Sequence, residues 1–232
     1  MKKNLAWFAG VTLVLVSASA AAHVAMVGPV TANATQEMTF TVGHGCGTSD
    51  TYAIRVAIPA GVTSVRPLRS DFGRTTIEKD GAGNVTAVSW QKPDGDLLDG
   101  DTNFYKLGIR MKLPATAAFT KVYFPAKQTC KATDGTLTIV DWVAIPDANG
   151  DAGAGEPAPG AAAVPPHVPG WNKIKVTADV KDLAAFFADA QIVWKGNAAF
   201  STNTATMDQI KTEAGVTVLT ELKNNDEIWV RY

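Results

Sequence analysis

The chain is predicted to be mainly β: an antiparallel β-sandwich from His23 to about Pro146, followed by a small α+β module from Trp171 to Tyr232. Three observations carry that expectation. Apolar and polar residues alternate through several short runs, and turn pairs such as Asp80-Gly81, Asp94-Gly95 and Asp134-Gly135 separate those runs. Clear helical spacing is confined to the C-terminal end of the chain.

Residues 1–22 have the three parts of a secretory signal. Lys2-Lys3 precede an apolar run from Leu5 to Val16, and the small residues Ser17 to Ala22 follow. Ala20 and Ala22 meet the small-x-small requirement for cleavage before His23. The competing reading is a membrane anchor, but the run is shorter than the roughly 20 residues a spanning helix needs. The expected product is therefore exported, periplasmic or secreted, and begins at His23. Removing Lys2 and Lys3 with the leader leaves 19 basic residues against 22 acidic ones, a formal charge of −3. No basic field is present to attract nucleic acid or anionic lipid.

After that point the chain reads as strands. From Glu37 to Val42, Met38, Phe40 and Val42 fall on one face, and Glu37, Thr39 and Thr41 on the other. Glu37 can thus face a site at the rim. The same period of two recurs in Tyr52, Ile54, Val56 and Ile58 before Pro59, and in Tyr105, Leu107, Ile109, Met111 and Leu113 before Pro114. Val85–Trp90, Lys121–Phe124 and Leu137–Val143 are shorter strand candidates. Such short, regularly spaced strands suit an immunoglobulin-like or cupredoxin-like sandwich.

Residues 147–170 change character. Glycine, alanine and proline without aromatic residues predict a linker between two domains. Beyond it, Leu183, Phe186, Phe187 and Ala190 fall at helical spacing, as do Met207, Ile210 and Ala214, with Thr206 and Gln209 as a capping box and Gly215 as a stop. Strand-like runs at 173–177, 191–194, 216–219 and 227–232 surround them. Trp171, Trp194 and Trp229 are a generous aromatic supply for so short a piece, which predicts packing against the sandwich or a partner.

Cys46 and Cys130 are the two cysteines of the chain. In an exported protein an even count predicts a disulfide. The alternative is a thiolate copper site with His44 in Gly43-His44-Gly45-Cys46. His44 is expected to serve a turn beside the disulfide, though a second copper site there stays open, and His167 in the proline-rich segment is expected to be solvated. Met38 and Met111 fit apolar strand faces, and the methionines do not cluster as a sulfur site for Cu(I) would.

Cleavage before His23 would give one residue both a free amine and an imidazole, two nitrogens that close a chelate ring on a metal. An α-amino group has an ordinary pKa of about 7.7–8.0, so a metal can displace its proton near neutral pH. Two nitrogens with a carboxylate oxygen suit Cu(II), which prefers tetragonal N,O surroundings. Glu37 could supply the oxygen, and Trp142 could cover an axial position with its π face.

The ordered segments Ala22-His23-Val24, Pro29, Glu37-Met38-Thr39-Phe40-Thr41-Val42, Ile58-Pro59-Ala60-Gly61-Val62 and Ile139-Val140-Asp141-Trp142 resemble the YcnI-like family of secreted copper-binding proteins. The likeness spans residues 22–146. It implies a copper brace built on one histidine: the N-terminal His23, the glutamate 14 positions on, which is Glu37, and the tryptophan of Val140-Asp141-Trp142. The expected function is exported copper trafficking or buffering without catalysis. Expected partners are the copper ion, another exported copper-trafficking protein or a membrane copper transporter, with no nucleic acid and no transmembrane segment after signal cleavage. Two departures from relatives stand out: Arg66-Pro67-Leu68 to Phe72-Gly73 lacks the tryptophan of a P-x-P-G-W-like segment, and residues 171–232 stand where a C-terminal membrane anchor occurs.

Two rival readings remain at this level. Lytic polysaccharide oxygenases also begin with a histidine on a β-sandwich, but use a second histidine, a role open here only to His44 or His167. A structural or adhesive sandwich would need no metal. No Ser/His/Asp set, thiol nucleophile or phosphate loop supports a hydrolase or transferase.

Overall fold

The computed structural model describes residues 23–98, 103–147 and 155–232. The leader expected at 1–22, and the cleavage point after Ala22, lie outside the described residues. In chain order come β1 (Val24–Met26), β2 (Val30–Thr31), β3 (Thr35–Val42), β4 (Asp50–Ala57), β5 (Thr63–Pro67), β6 (Arg74–Lys79), β7 (Val85–Gln91) and β8 (Tyr105–Lys112). Next are β9 (Thr120–Tyr123), β10 (Ala126–Lys131), β11 (Leu137–Ala144), β12 (Glu156–Pro157) and β13 (Gly160–Val164). The C-terminal part adds β14 (Trp171–Lys175), α1 (Leu183–Phe186), β15 (Ile192–Lys195), β16 (Ala198–Phe200), α2 (Thr204–Thr212), β17 (Thr217–Val218) and β18 (Glu227–Arg231).

Two sheets make the sandwich. One has the order β1-β3-β8-β5 and the other β12-β11-β10-β4-β7-β6. The alternation read from Glu37 to Val42 holds: Met38, Phe40 and Val42 are buried, and Glu37 is exposed. They share a core with Leu107 and Ile109 of the same sheet and with Ile54, Val56, Trp90 and Trp142 of the other. Phe40 meets Phe124 edge to face at 5.5 Å. Burying each large apolar side chain contributes roughly 1.5–3 kcal/mol, so this shared interior holds the sheets together.

Of the linker expected at 147–170, residues 148–154 lie outside the described residues, and residues 155–170 differ from the expectation. β13 pairs in parallel with β2 and antiparallel with β9, and Ala161–Val164 are buried. Composition suggested too little side chain to build a core. Here small side chains instead let backbone enter a narrow space: a Cβ on Gly160 would come within 2.7 Å of Tyr123, and one on Gly28 within 2.7 Å of Ala161. Successive residues of β13 point to opposite faces. Ala161 and Ala163 join the sandwich core, and Ala162 and Val164 join that of the C-terminal module.

That module is a five-stranded sheet of order β14-β18-β15-β16-β17. Ile174, Val193, Ile228 and Val230 pack with Leu183, Phe186 and Phe187, and Phe119 enters from the sandwich side. The module thus packs on the sandwich, though through Phe119, Ala162 and Val164 and not through Trp171, Trp194 or Trp229. Asp182 caps α1 by accepting from the Ala185 N–H at 3.1 Å. For α2 the cap is Asn203, which accepts from the Thr206 N–H at 3.0 Å, and not the expected Thr206–Gln209 box. The helix begins earlier than its apolar spacing suggested, because Asn203 satisfies the free N–H groups of the first turn. Among the described residues no helix is long and apolar enough to cross a membrane.

Candidate metal centre

β1 is a short strand at the edge of its sheet, followed by the cis peptide Gly28-Pro29. It runs antiparallel to β3 with Val24 opposite Val42 and Met26 opposite Phe40. One step further, the Gly43 N–H donates to the His23 carbonyl at 3.4 Å. His23 therefore stands at the C-terminal end of β3, exposed.

Trp142 reaches the same corner from the opposite sheet. It lies on β11 opposite Ala126 of β10, and its side chain is buried. The His23 and Trp142 rings are 5.6 Å apart between centroids and inclined at 43°. Among the described residues the buried indole Nε1 of Trp142 has no hydrogen-bond partner, and no hydrogen bond engages the His23 ring. The structure thus brings together two of the three residues that the resemblance implies.

Glu37 is not brought with them. It is the third residue of β3, opposite Arg110 of β8, six residues before Gly43. At about 3.3 Å per residue the two ends of that strand are roughly 20 Å apart, beyond the reach of one side chain. A spacing of 14 in sequence does not become proximity, because β1 folds back along the far half of β3.

A different carboxylate is paired with Trp142. β12 runs parallel to β11 with Glu156 in register with Trp142. Independently, β13 pairs with β2 as Ala163 to Val30 and Val164 to Thr31, and Gly28 sits against Ala161 in the same register. Carried back along the chain, that register brings Glu156 toward the His23 end of β1. Glu156 is partly buried. No sequence pattern marked it, because it sits in a stretch read as linker.

The other histidines are engaged in structure. The His44 ring Nδ1 is 2.8 Å from the Gly45 carbonyl, which requires it to be the donor there, and the His44 carbonyl accepts from Gln128 Nε2 at 2.9 Å. Its neighbour Cys46 is joined to Cys130, S–S 2.07 Å. The expected disulfide is present and takes up both thiols, so the thiolate alternative falls away. His167 is not merely solvated: it stacks on Tyr232 at 3.6 Å between centroids with 12° between planes, and its Nδ1 is 3.1 Å from the Pro165 carbonyl. Burial raises the Tyr232 hydroxyl pKa above the usual tyrosine range, with the nearby Asp189 charge adding to it.

A second polar cluster was not legible in the sequence. Asp50 and Lys92 are buried, and Lys92 Nζ donates to Asp50 Oδ2 at 2.6 Å. The Leu98 N–H and the Tyr105 hydroxyl also donate to Asp50, at 2.9 and 3.2 Å, and Lys92 lies 4.2 Å from the Tyr105 ring centroid. Burial pushes the Asp50 carboxyl up. The hydrogen bond from Lys92, the Leu98 N–H, the Lys92 charge and the Tyr105 hydroxyl outweigh it, so its pKa lies below the ordinary value.

Among the described residues no group of three or more His, Cys, Asp or Glu side chains is gathered as for a metal ion. A metal at this corner would therefore depend on the histidine chelating through its own amine and ring. Depressions of about 680 and 730 Å³ lie elsewhere, and neither is lined by His23 or Trp142. An open edge of this kind suits a small ion better than an enclosed organic substrate.

Fold and corner together define a class: an immunoglobulin-like β-sandwich whose first strand presents a histidine against a buried tryptophan of the facing sheet. The chain belongs to the family described as "Domain of unknown function (DUF1775)", which matches residues 23–163 and is the domain of the YcnI family. The match runs into β13, in accord with the place of that strand in the sandwich. An uncharacterised protein from Nocardia farcinica with an immunoglobulin-like fold is similar at 26% identity and a TM-score of 0.51, over 61% of this chain and 98% of that one. The major pilin subunit BcpA of Bacillus cereus is similar at 10% identity and a TM-score of 0.37, over 89% of this chain and 54% of that one. No curated protein matches the chain.

Proposed function

We propose that this protein is exported, is cut after Ala22, and carries one Cu(II) ion at His23 as a buffer or courier in copper trafficking, without catalysing a reaction. The observation that carries this reading is the contact of His23 with Trp142 at the open end of β1. The freed amine and the ring of His23 would form the chelate. Trp142 would shield one side of the ion with its π face. Glu156, the strand partner of Trp142, would supply the carboxylate instead of Glu37. The disulfide fits an oxidising compartment, and the donor and acceptor of the ion would be other exported or membrane copper proteins.

Electron paramagnetic resonance of Cu(II) bound to the chain beginning at His23 tests this. Placing two residues ahead of His23 is expected to abolish the tight signal, since the amine becomes an amide. Glu156→Gln is expected to weaken binding about tenfold or more, and Glu37→Gln to leave it unchanged. An identical signal from the extended chain overturns the reading.

One observation favours a second reading, an oxidative copper enzyme. His44 follows the Gly43 that bonds His23, so a second imidazole stands close in sequence to the corner. Hydrogen peroxide production by the copper-loaded chain, lost in His44→Ala, would establish it.

A further inference from the structure

The C-terminal module carries a surface independent of the copper reading. In β18 the residues Glu227, Trp229 and Arg231 alternate outward with the buried Ile228 and Val230. Register then fixes their neighbours. Trp229 lies between Lys173 of β14 and Trp194 of β15, and Arg231 lies between Trp171 of β14 and Ile192 of β15. Paired residues share a face, so Trp171, Trp229 and Trp194 stand on one side of three adjacent strands. Trp194 is directly opposite Trp229, and Trp171 is diagonal to it, about 7–8 Å away by ordinary sheet geometry.

These indoles are not spent on the core. Trp171 is 50% exposed and Trp229 49% exposed, while the other face of the same strands is closed over Ile174, Val193 and Val230. Trp171, Trp194, Trp229 and Gly196 border a shallow depression of about 270 Å³. Beyond Trp194 the face is bordered by α2, whose Gln209 and Ile210 line a depression shared with Ile192 and Trp194. Two large aromatic side chains left half in water beside the partly buried Trp194, across adjacent strands, form a recognition surface.

Charge decides among occupants. Lys173, Lys175 and Arg231 share the strands of this face with Glu227, which pairs with Lys173 at 3.1 Å, and a second acid, Glu213, lines the depression beyond Trp194. Lys175 and Arg231 are exposed, and among the described residues neither is in an ion pair. A second copy of the face would set like charges against each other. A lipid acyl layer would have to desolvate cations lying in the same plane as the indoles. A polymer of acidic sugars meets both features: the C–H faces of its pyranose rings stack on indoles, and its carboxylates meet Arg231 and Lys175.

We propose that the sheet face formed by Trp171, Trp194 and Trp229 binds an acidic polysaccharide of the uronic-acid class, with Arg231 and Lys175 pairing its carboxylates. The test is titration calorimetry, with tryptophan fluorescence, of the full exported chain against oligogalacturonate, a neutral cello-oligosaccharide and phosphatidylglycerol vesicles. Oligogalacturonate is expected to bind, with a blue-shifted emission, and to bind more weakly as salt is raised, because exposed charges are screened. Trp229→Ala is expected to reduce affinity about tenfold or more. Arg231→Gln, which keeps the aromatic platform intact, is expected to weaken binding and flatten its salt dependence. Circular dichroism matching the parent shows that the variants fold. Failure of oligogalacturonate to titrate, equal binding by folded Trp229→Ala, or preference for the neutral sugar or the vesicles would each overturn the proposal.

Discussion

Replacing Cys46 and Cys130 together by alanine is expected to lower the unfolding free energy by about 4–5 kcal/mol. The bond closes a loop of 84 residues, and cross-linking so long a segment removes much of the freedom of the unfolded chain. Loss of the bond acts on the native state as well. Cys46 belongs to the turn that Gln128 holds through the His44 carbonyl, and Gln128 also donates to Thr51 Oγ1 at 2.9 Å. Guanidinium unfolding of the oxidised parent, the reduced parent and the double variant checks this. The two states without the disulfide should unfold at similar denaturant concentrations, well below the oxidised parent.

Lys92→Met is expected to cost about 3–5 kcal/mol at neutral pH, because it leaves the Asp50 carboxylate buried without its cation. The pH dependence distinguishes this from a packing defect. In the parent the Asp50 pKa lies below its ordinary value, so the group contributes stability above about pH 4 that is lost as pH falls through the folded pKa. In the variant the uncompensated carboxylate should titrate higher, and protonation then relieves the defect. The gap between parent and Lys92→Met should therefore narrow as pH falls from 7 toward about 4. Asp50→Asn combined with Lys92→Met should recover part of the loss, since no buried charge then remains. Urea unfolding at several pH values reads all three outcomes.

The elements that alternation exposed were legible in the sequence. Met38-Phe40-Val42, Ile54-Val56 and Leu107-Ile109-Met111 each place every second residue in one interior, and that period is a local property of the chain. The disulfide was legible from the cysteine count and the expected export. Pairing was not. Nothing in residues 23–43 states that β1 aligns with the second half of β3, and that alignment separates His23 from Glu37. Glu156 was hidden for a related reason: its stretch of glycine, alanine and proline has no period, and only its sheet partners give it a place. The Asp50–Lys92 pair joins residues 42 positions apart, a separation no local pattern encodes. The three tryptophans were noted as abundant, but their common face follows from the order β14-β18-β15, which is a fact of topology.

β13 has a mechanical consequence. Because its alternate side chains enter two different interiors, the boundary between sandwich and C-terminal module is a single strand belonging to both. Removing the module would leave Ala162, Val164 and Phe119 facing water, and removing the strand would strip β2 and β9 of their partner. The two halves should melt as one cooperative unit, with a single calorimetric transition, although the cut between Val164 and Trp171 looks like a natural place to divide the chain.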